Sequence, residues 1–197
     1  SSILFAGAIP AKGDTETYDG TNWTEVANLN TARYSSAGCG TETAALSFSG
    51  TPGGGGGVGT KTTEEWGGTS WVAQNDLNTA RNGAHGAGIQ TAALCIGGHE
   101  PAKSVKVEDY DGTCWTEVAS LLTATDAGIA AAQGTPSATL FFTGRTAATP
   151  AGGKLCESFD GTSWTEVADT NTGRNTAGGS GVQTLALCFG GDSPDTR

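Results

Sequence analysis

Apolar residues come in short blocks along this chain. Each block closes on glycine, and none keeps the 3.6-residue spacing of an amphipathic helix. The most apolar blocks read AALSFSG (44–50), AALCIGG (92–98), ATLFFTG (138–144) and LALCFGG (185–191), with SSILFAG (1–7) as a fifth copy. Ahead of four of them lies a block of small residues: YSSAGCG, NGAHGAG, AGIAAAQG and NTAGGSG. A tight turn joins each pair of blocks: GTET, GIQT, GTPS or GVQT. After the apolar block comes a variable loop, then a segment ending on Tyr18, Trp66, Tyr110 or Phe159, then one opening on Trp23, Trp71, Trp115 or Trp164. Short runs bounded by turn signals predict strands. Each repeat therefore predicts four strands, and the fold class is all-β.

The tryptophans recur at intervals of 48, 44 and 49 residues, a period that fits propeller blades or solenoid coils. The reading is one β-propeller domain over 1–197, with hairpins at 14–26, 62–74, 106–118 and 155–167. Four residues separate aromatic from tryptophan, and three repeats open this interval with Asp-Gly-Thr. Asp-Gly accepts positive φ at both central positions of a hairpin turn, so the phrase predicts a hairpin between strands three and four. Its two aromatics offer faces for packing between neighbouring blades, or for stacking a ligand. The small-residue strand predicts the innermost position, where backbones crowd about the axis.

A second regularity is charged. Glu16, Glu64, Glu108 and Glu157 each stand two residues before the aromatic, and Arg33, Arg81 and Arg174 open the inner strand of three repeats. Thr125 takes that place in the third repeat. A buried carboxylate needs a partner with several donors. This predicts pairing of Arg33 with Glu64, of Arg81 with Glu108 and, on ring closure, of Arg174 with Glu16. The other reading is a ring of Arg33, Arg81 and Arg174, with His85 on an inner strand, that meets an anionic ligand at the channel mouth. Thr125 breaks the symmetry of such a ring. The apolar strand occurs five times and the others four times, which leaves four blades or five. A sequence-separated ring closure, a window cut from a longer array, and assembly with a second copy all accommodate the surplus.

Composition narrows the partners. Glycine supplies 32 of 197 residues and charged residues only 15%, a mix suited to tight turns. The net charge of −10 repels phosphate backbones and anionic lipid, so neither nucleic-acid binding nor membrane insertion is expected. No apolar run approaches the ~18 residues of a membrane span. The chain contains no Met and shows no basic leader, which reads as a processed product or a piece of something longer. Cys39, Cys95, Cys114, Cys156 and Cys188 have no disulfide spacing, and Cys95 and Cys188 read as small buried side chains.

The order of glycine pair, E-x-aromatic, tryptophan and then V-A-x-L-N-T-A-R resembles the kelch repeat over essentially the whole chain. The glycine pair is intact at Gly97-Gly98 and Gly190-Gly191 and degraded at Ala6-Gly7, Ser49-Gly50 and Thr143-Gly144. The aromatic-to-tryptophan spacing is shorter than in the usual kelch repeat. The stretch YDGTNWTEVANLNTARYSSAGCGTETAALSFSG is also similar to repeats in predicted structural proteins of marine bacteriophages. The resemblance implies four-stranded blades serving as an interaction scaffold, here a virion appendage or decoration, in a virion or extracellular setting. Partners would be other virion proteins or host surface glycans, with a homo-oligomer as a further expectation.

Catalytic signatures are weak. Galactose oxidase uses kelch-like blades, but its copper site needs His ligands and a Tyr–Cys pair, and this chain has only His85 and His99. The Asp-box of sialidases separates Asp from Gly, whereas Asp19-Gly20 is contiguous. GGGGGVGTKTT lacks the spacing and the helix of a phosphate loop, and reads as a flexible connection. The loops AIPAKGD, TPGGGGGVGTK, HEPAKSVK and RTAATPAGGK differ most between repeats and should share one face, where recognition resides. The expectation is a non-catalytic structural or adhesive module with no cofactor and no metal. A glycan-binding lectin is the first alternative, and an oxidase- or sialidase-like enzyme the second.

Overall fold

The computed structural model describes residues 2–5, 7, 10–53, 57–131 and 135–192. Ala6, of the first glycine pair, and 132–134, of the third small-residue block, lie outside them. The described residues contain no helix. The strands are β1 (Ser2–Phe5), β2 (Thr15–Tyr18), β3 (Trp23–Val26), β4 (Arg33–Tyr34), β5 (Ala37–Thr41), β6 (Ala44–Phe48) and β7 (Thr51–Pro52). Then follow β8 (Thr63–Trp66), β9 (Trp71–Ala73), β10 (His85–Ile89), β11 (Ala92–Ile96), β12 (Val107–Tyr110) and β13 (Trp115–Glu117). The last are β14 (Ile129–Ala131), β15 (Thr139–Phe142), β16 (Cys156–Phe159), β17 (Trp164–Glu166), β18 (Gly178–Val182) and β19 (Leu185–Phe189).

These strands form repeating antiparallel units. Unit I is β1-β2-β3, unit II β5-β6-β8-β9, unit III β10-β11-β12-β13, unit IV β14-β15-β16-β17 and unit V β18-β19. Arg33–Tyr34 and Thr51–Pro52 add a short β4–β7 pair. Among the described residues, three four-stranded sheets therefore stand between a three-stranded unit without an inner strand and a two-stranded unit formed by an inner pair. The whole is an all-β, propeller-like arrangement.

The inner strands β5, β10, β14 and β18 lie side by side in that order. Glycine permits this closeness: a Cβ on Gly86 would sit 2.5 Å from the Gly38 carbonyl oxygen. Backbone bonds run from unit to unit along the same line. Gly83 N–H donates to Ser35 O (3.0 Å), Ala127 to Gly83 (3.0 Å) and Thr176 to Ala127 (3.3 Å). Ser35, Ala127 and Thr176 adopt positive φ to make this link, as Gly83 does.

The core lies in the seams between units. Because strand side chains alternate faces, β11 sends Ala93 and Cys95 toward unit II and Leu94 and Ile96 toward unit IV. Leu46 and Phe48 of β6 face unit III in the same way. The fourth-strand tryptophan covers the unit before it. Trp71 lies 5.0 Å from Phe5 of unit I, and Trp115 lies 4.8 Å from Phe48 of unit II. Trp71, Trp115 and Trp164 are each 5% exposed, whereas Trp23, which no preceding unit covers among the described residues, is 51% exposed.

The hairpin turn differs from the sequence expectation. Gly20, Gly112 and Gly161 take positive φ, but Asp19, Asp111 and Asp160 do not. The aromatic and tryptophan pair directly, so four residues form the loop. Asp19 Oδ1 accepts the N–H groups of Thr21 (2.7 Å) and Asn22 (2.8 Å), and Asp111 and Asp160 repeat this. The aspartate is there for its carboxylate rather than for backbone freedom. Those bonds hold all three carboxyls below their ordinary range.

Candidate functional site

The conspicuous charged constellation sits inside the units. Glu64 extends from β8 and meets the guanidinium of Arg33, both side chains being wholly buried. Its Oε1 also accepts Thr31 N–H (3.2 Å), and Oε2 accepts both the N–H (2.7 Å) and Nδ2 (2.8 Å) of Asn30. Asn30 Nδ2 reaches Trp71 O as well, and Arg33 donates to Thr62 O at 2.8 Å. Unit III repeats the arrangement. Arg81 donates to Glu108 at 2.7 Å, and Asn78 and Thr79 supply the matching N–H groups. Such ion pairs fix geometry, although the buried Arg81 Nε finds no acceptor among the described residues. They leave Arg33 and Arg81 no exposed surface, so contact with a ligand would require these units to open.

The third and fourth copies are incomplete. Thr125 donates to Thr123 O (3.0 Å), and among the described residues Glu157 receives only the N–H groups of Leu122 (2.8 Å) and Thr123 (3.1 Å). Burial raises the Glu157 pKa, the two N–H bonds oppose the shift, and Glu166 adds to it. Arg174 is half-buried and donates to Gly190 O at 2.8 Å. Among the described residues no carboxylate lies within ion-pair distance of it, and Glu16 sits opposite Leu4 and Glu25. The structure thus does not bring Arg174 and Glu16 together, because β19 rather than β1 pairs with β18.

Two further concave features bear on a candidate site. The first is an axial cavity of about 200 Å³, walled by Gly38–Gly40, His85–Gly88, Ala130 and Gly179–Gly181 of four inner strands. His85 is its basic group. Burial pushes its pKa down to about 4 against a bond to the Gly128 backbone, so the imidazole is neutral near pH 7. His99 lies instead on the loop rim, bridged to Asn82 and Lys103. Among the described residues no three His, Cys, Asp or Glu side chains cluster as metal ligands. All five cysteines are free. Burial raises the Cys39 thiol to about 12 and that of Cys95 to about 11, which makes both poor nucleophiles.

The second feature is a pocket of about 90 Å³ in the seam between units III and IV, lined by Leu94, Asp109, Pro136 and Phe159 among others. Its origin is local. Gln90 seals the seam between units II and III by donating to Ala45 O (3.2 Å) and Trp66 O (2.7 Å), and Gln183 seals that between IV and V on Ser158 and Phe159. Pro136 occupies the same repeat position and has no such donor. Tyr110 likewise reaches Glu65 (3.1 Å), whereas Phe159 has no hydroxyl to reach Asp109. The pocket falls short of the ~300 Å³ of ordinary ligand sites.

On the rim, the loops after the second strands contact the starts of the next inner strands: Lys12 with Arg33, Thr60 with Arg81 and Gly153 with Arg174. Each of these loops is thus tied to the unit that follows it. Asp126 takes a two-pronged contact from Arg145 (3.1 and 3.0 Å) and one from Lys103 (3.0 Å). Sequence reasoning missed this cluster, which occurs in one repeat only. It also missed Asn30 and Asn78, whose signal was present in the repeated phrase Leu-Asn-Thr-Ala-Arg.

No family model and no curated protein matches the chain. Solved structures do. One, described as the structure of YjhT, superposes with a TM-score of 0.78 over 98% of this chain and 74% of its own, at 11% identity. At that identity the likeness speaks of fold alone, and it agrees with an all-β, propeller-like array of four-stranded sheets.

Proposed function

We propose that this protein is a non-catalytic interaction module whose units are kelch-like propeller blades and whose partner-binding surface is the loop face. One observation carries the reading: reactive-looking groups are engaged in the scaffold, while the repeats differ most in the loops after their second strands. Arg33, Arg81, Glu64 and Glu108 are sealed in ion pairs, and Cys39 and Cys95 are held as neutral thiols. The rim offers different charges in each repeat, including Lys103 and Arg145 around Asp126, and rigid scaffolds with variable loops serve recognition. The phrase-level resemblance to phage structural proteins supports a place on a virion, facing other virion proteins or a host glycan.

The test is a glycan array beside crosslinking to candidate particle proteins, repeated with residues 145–151 replaced by a Gly-Ser linker. Binding lost in the loop variant at unchanged melting temperature supports the rim. Turnover of a fluorogenic sialoside, or peroxide release from galactose, would overturn the non-catalytic reading.

A further inference from the structure

The seam between units III and IV has lost three donors that the preceding seam uses. Between units II and III, Glu65 of β8 accepts the Gln74 amide (2.9 Å) and the Tyr110 hydroxyl (3.1 Å), and Gln90 donates to two carbonyls. One repeat later Asp109 stands in the place of Glu65, Val118 in that of Gln74, Phe159 in that of Tyr110 and Pro136 in that of Gln90. Each donor has become an apolar group, and one carboxylate remains among them. Among the described residues Asp109 has no side-chain hydrogen bond, and no Lys or Arg lies within ion-pair distance of it.

A preformed pocket results. Leu94, Val118 and Phe159 give it apolar walls, Asp109 is the charged residue of its lining, and the exposed Ser137 and Gly161 mark its mouth. Its volume of about 90 Å³ admits few atoms. An apolar cavity of ~150 Å³ takes benzene, so about three or four heavy atoms fit here. Burial raises the Asp109 carboxyl above its ordinary value, and the nearby Asp111 adds to the shift. A cation bound beside the carboxylate would oppose both causes.

We propose that the pocket between units III and IV binds a primary ammonium group on a short apolar stem, as at the end of a lysine side chain. The stem lies against Leu94, Val118 and Phe159, and the nitrogen donates to the Asp109 carboxylate. Apolar walls around that contact strengthen a charge-assisted hydrogen bond. Charge and size together select this occupant. An anion would meet Asp109 with Asp111 near it, a neutral alkyl group would leave the carboxylate without a partner, and a sugar ring exceeds the volume. Both units that form the pocket are four-stranded sheets. The site is separate from the loop face and stands whether or not that face binds a partner.

The experiment titrates the full chain with n-butylamine hydrochloride and follows its amide and carboxyl NMR signals, with sodium chloride at equal ionic strength as the control. Saturable shifts should centre on Leu94, Asp109 and Phe159, and the Asp109 carboxyl pKa should fall. Replacing butylamine by n-butanol, or changing Asp109→Asn in the protein, should each weaken binding at least about tenfold, the scale of one charge-assisted hydrogen bond. Phe159→Tyr restores the hydroxyl of the preceding seam, which should engage Asp109 and weaken butylamine binding by a similar factor without lowering the melting temperature. A blocked tripeptide with lysine at its centre identifies the source. Binding like that of butylamine assigns the pocket to a lysine of a partner protein, and binding of butylamine alone assigns it to a free amine. The proposal is overturned by the absence of saturable shifts, by equal binding of butanol, or by shifts that survive both Asp109→Asn and Phe159→Tyr. Should Asp109→Asn unfold, butanol against the unaltered chain and the Phe159→Tyr protein decide the same point.

Discussion

Trp115 donates its indole N–H to the Thr63 hydroxyl, 2.9 Å away across the seam between units II and III, as Trp71 does to Thr15 at 3.0 Å. Val107 replaces that threonine in the next unit, and Trp164 turns to Ala119 O instead. The tryptophan is therefore a seam residue with an apolar face and one polar anchor.

Trp115→Ala should cost about 3–5 kcal/mol, the range for a large buried aromatic. Trp23→Ala, at the exposed counterpart, should stay within ~0.5 kcal/mol, as surface substitutions do. Paired urea melts measure both. Equal losses would show that the tryptophan acts within its own hairpin and not across the seam.

Glu64→Gln should cost about 3–5 kcal/mol, because it leaves the Arg33 charge buried without its counter-ion. Glu157→Gln should be far milder, since no arginine depends on it. The Glu157 carboxyl titrates above its ordinary value in the folded state. Its contribution is thus fully present below the unfolded value and fades as pH rises through the folded one. Stability measured across mildly acidic pH should lose that decline in the Glu157→Gln protein.

His85 behaves in the opposite sense. Its pKa falls from 6.5 to about 4 on folding, so the stability tied to the neutral ring is present above 6.5 and is lost as pH drops through 4. Denaturation midpoints followed from neutral to acidic pH should fall less steeply for His85→Gln than for the parent. An unchanged slope would place the acid sensitivity elsewhere.

Pro136→Gln should close the pocket between units III and IV. By analogy with Gln90, the new amide would donate to Ala93 O and Tyr110 O. Each net hydrogen bond is worth ~0.5–1.5 kcal/mol, so the melting temperature should rise. A fall would indicate that the proline stiffens its turn more than an amide can offset.

Much of this architecture was legible from alternation and period. The four aromatic–tryptophan hairpins stand where the repeated phrase placed them, and the small-residue blocks became adjacent inner strands. The conformation of the Asp-Gly turn was not legible, because a four-residue loop and a two-residue loop share the same dipeptide. The seam pocket was also hidden. It arises from what Pro136 and Phe159 lack, and a missing donor shows only when the partner across the seam is known. Arg174 read as a member of a closed ring because residue identity says nothing of which strand occupies the neighbouring place.

The line of backbone bonds through Ser35, Gly83, Ala127 and Thr176 joins each unit chiefly to its immediate neighbours. Energetically the molecule then approximates a string of beads, its stability a sum over junctions rather than the property of one central nucleus. Changes made at separate junctions should add without interference. One junction can therefore gain a cavity, as that between units III and IV has, while the beads on either side keep their form.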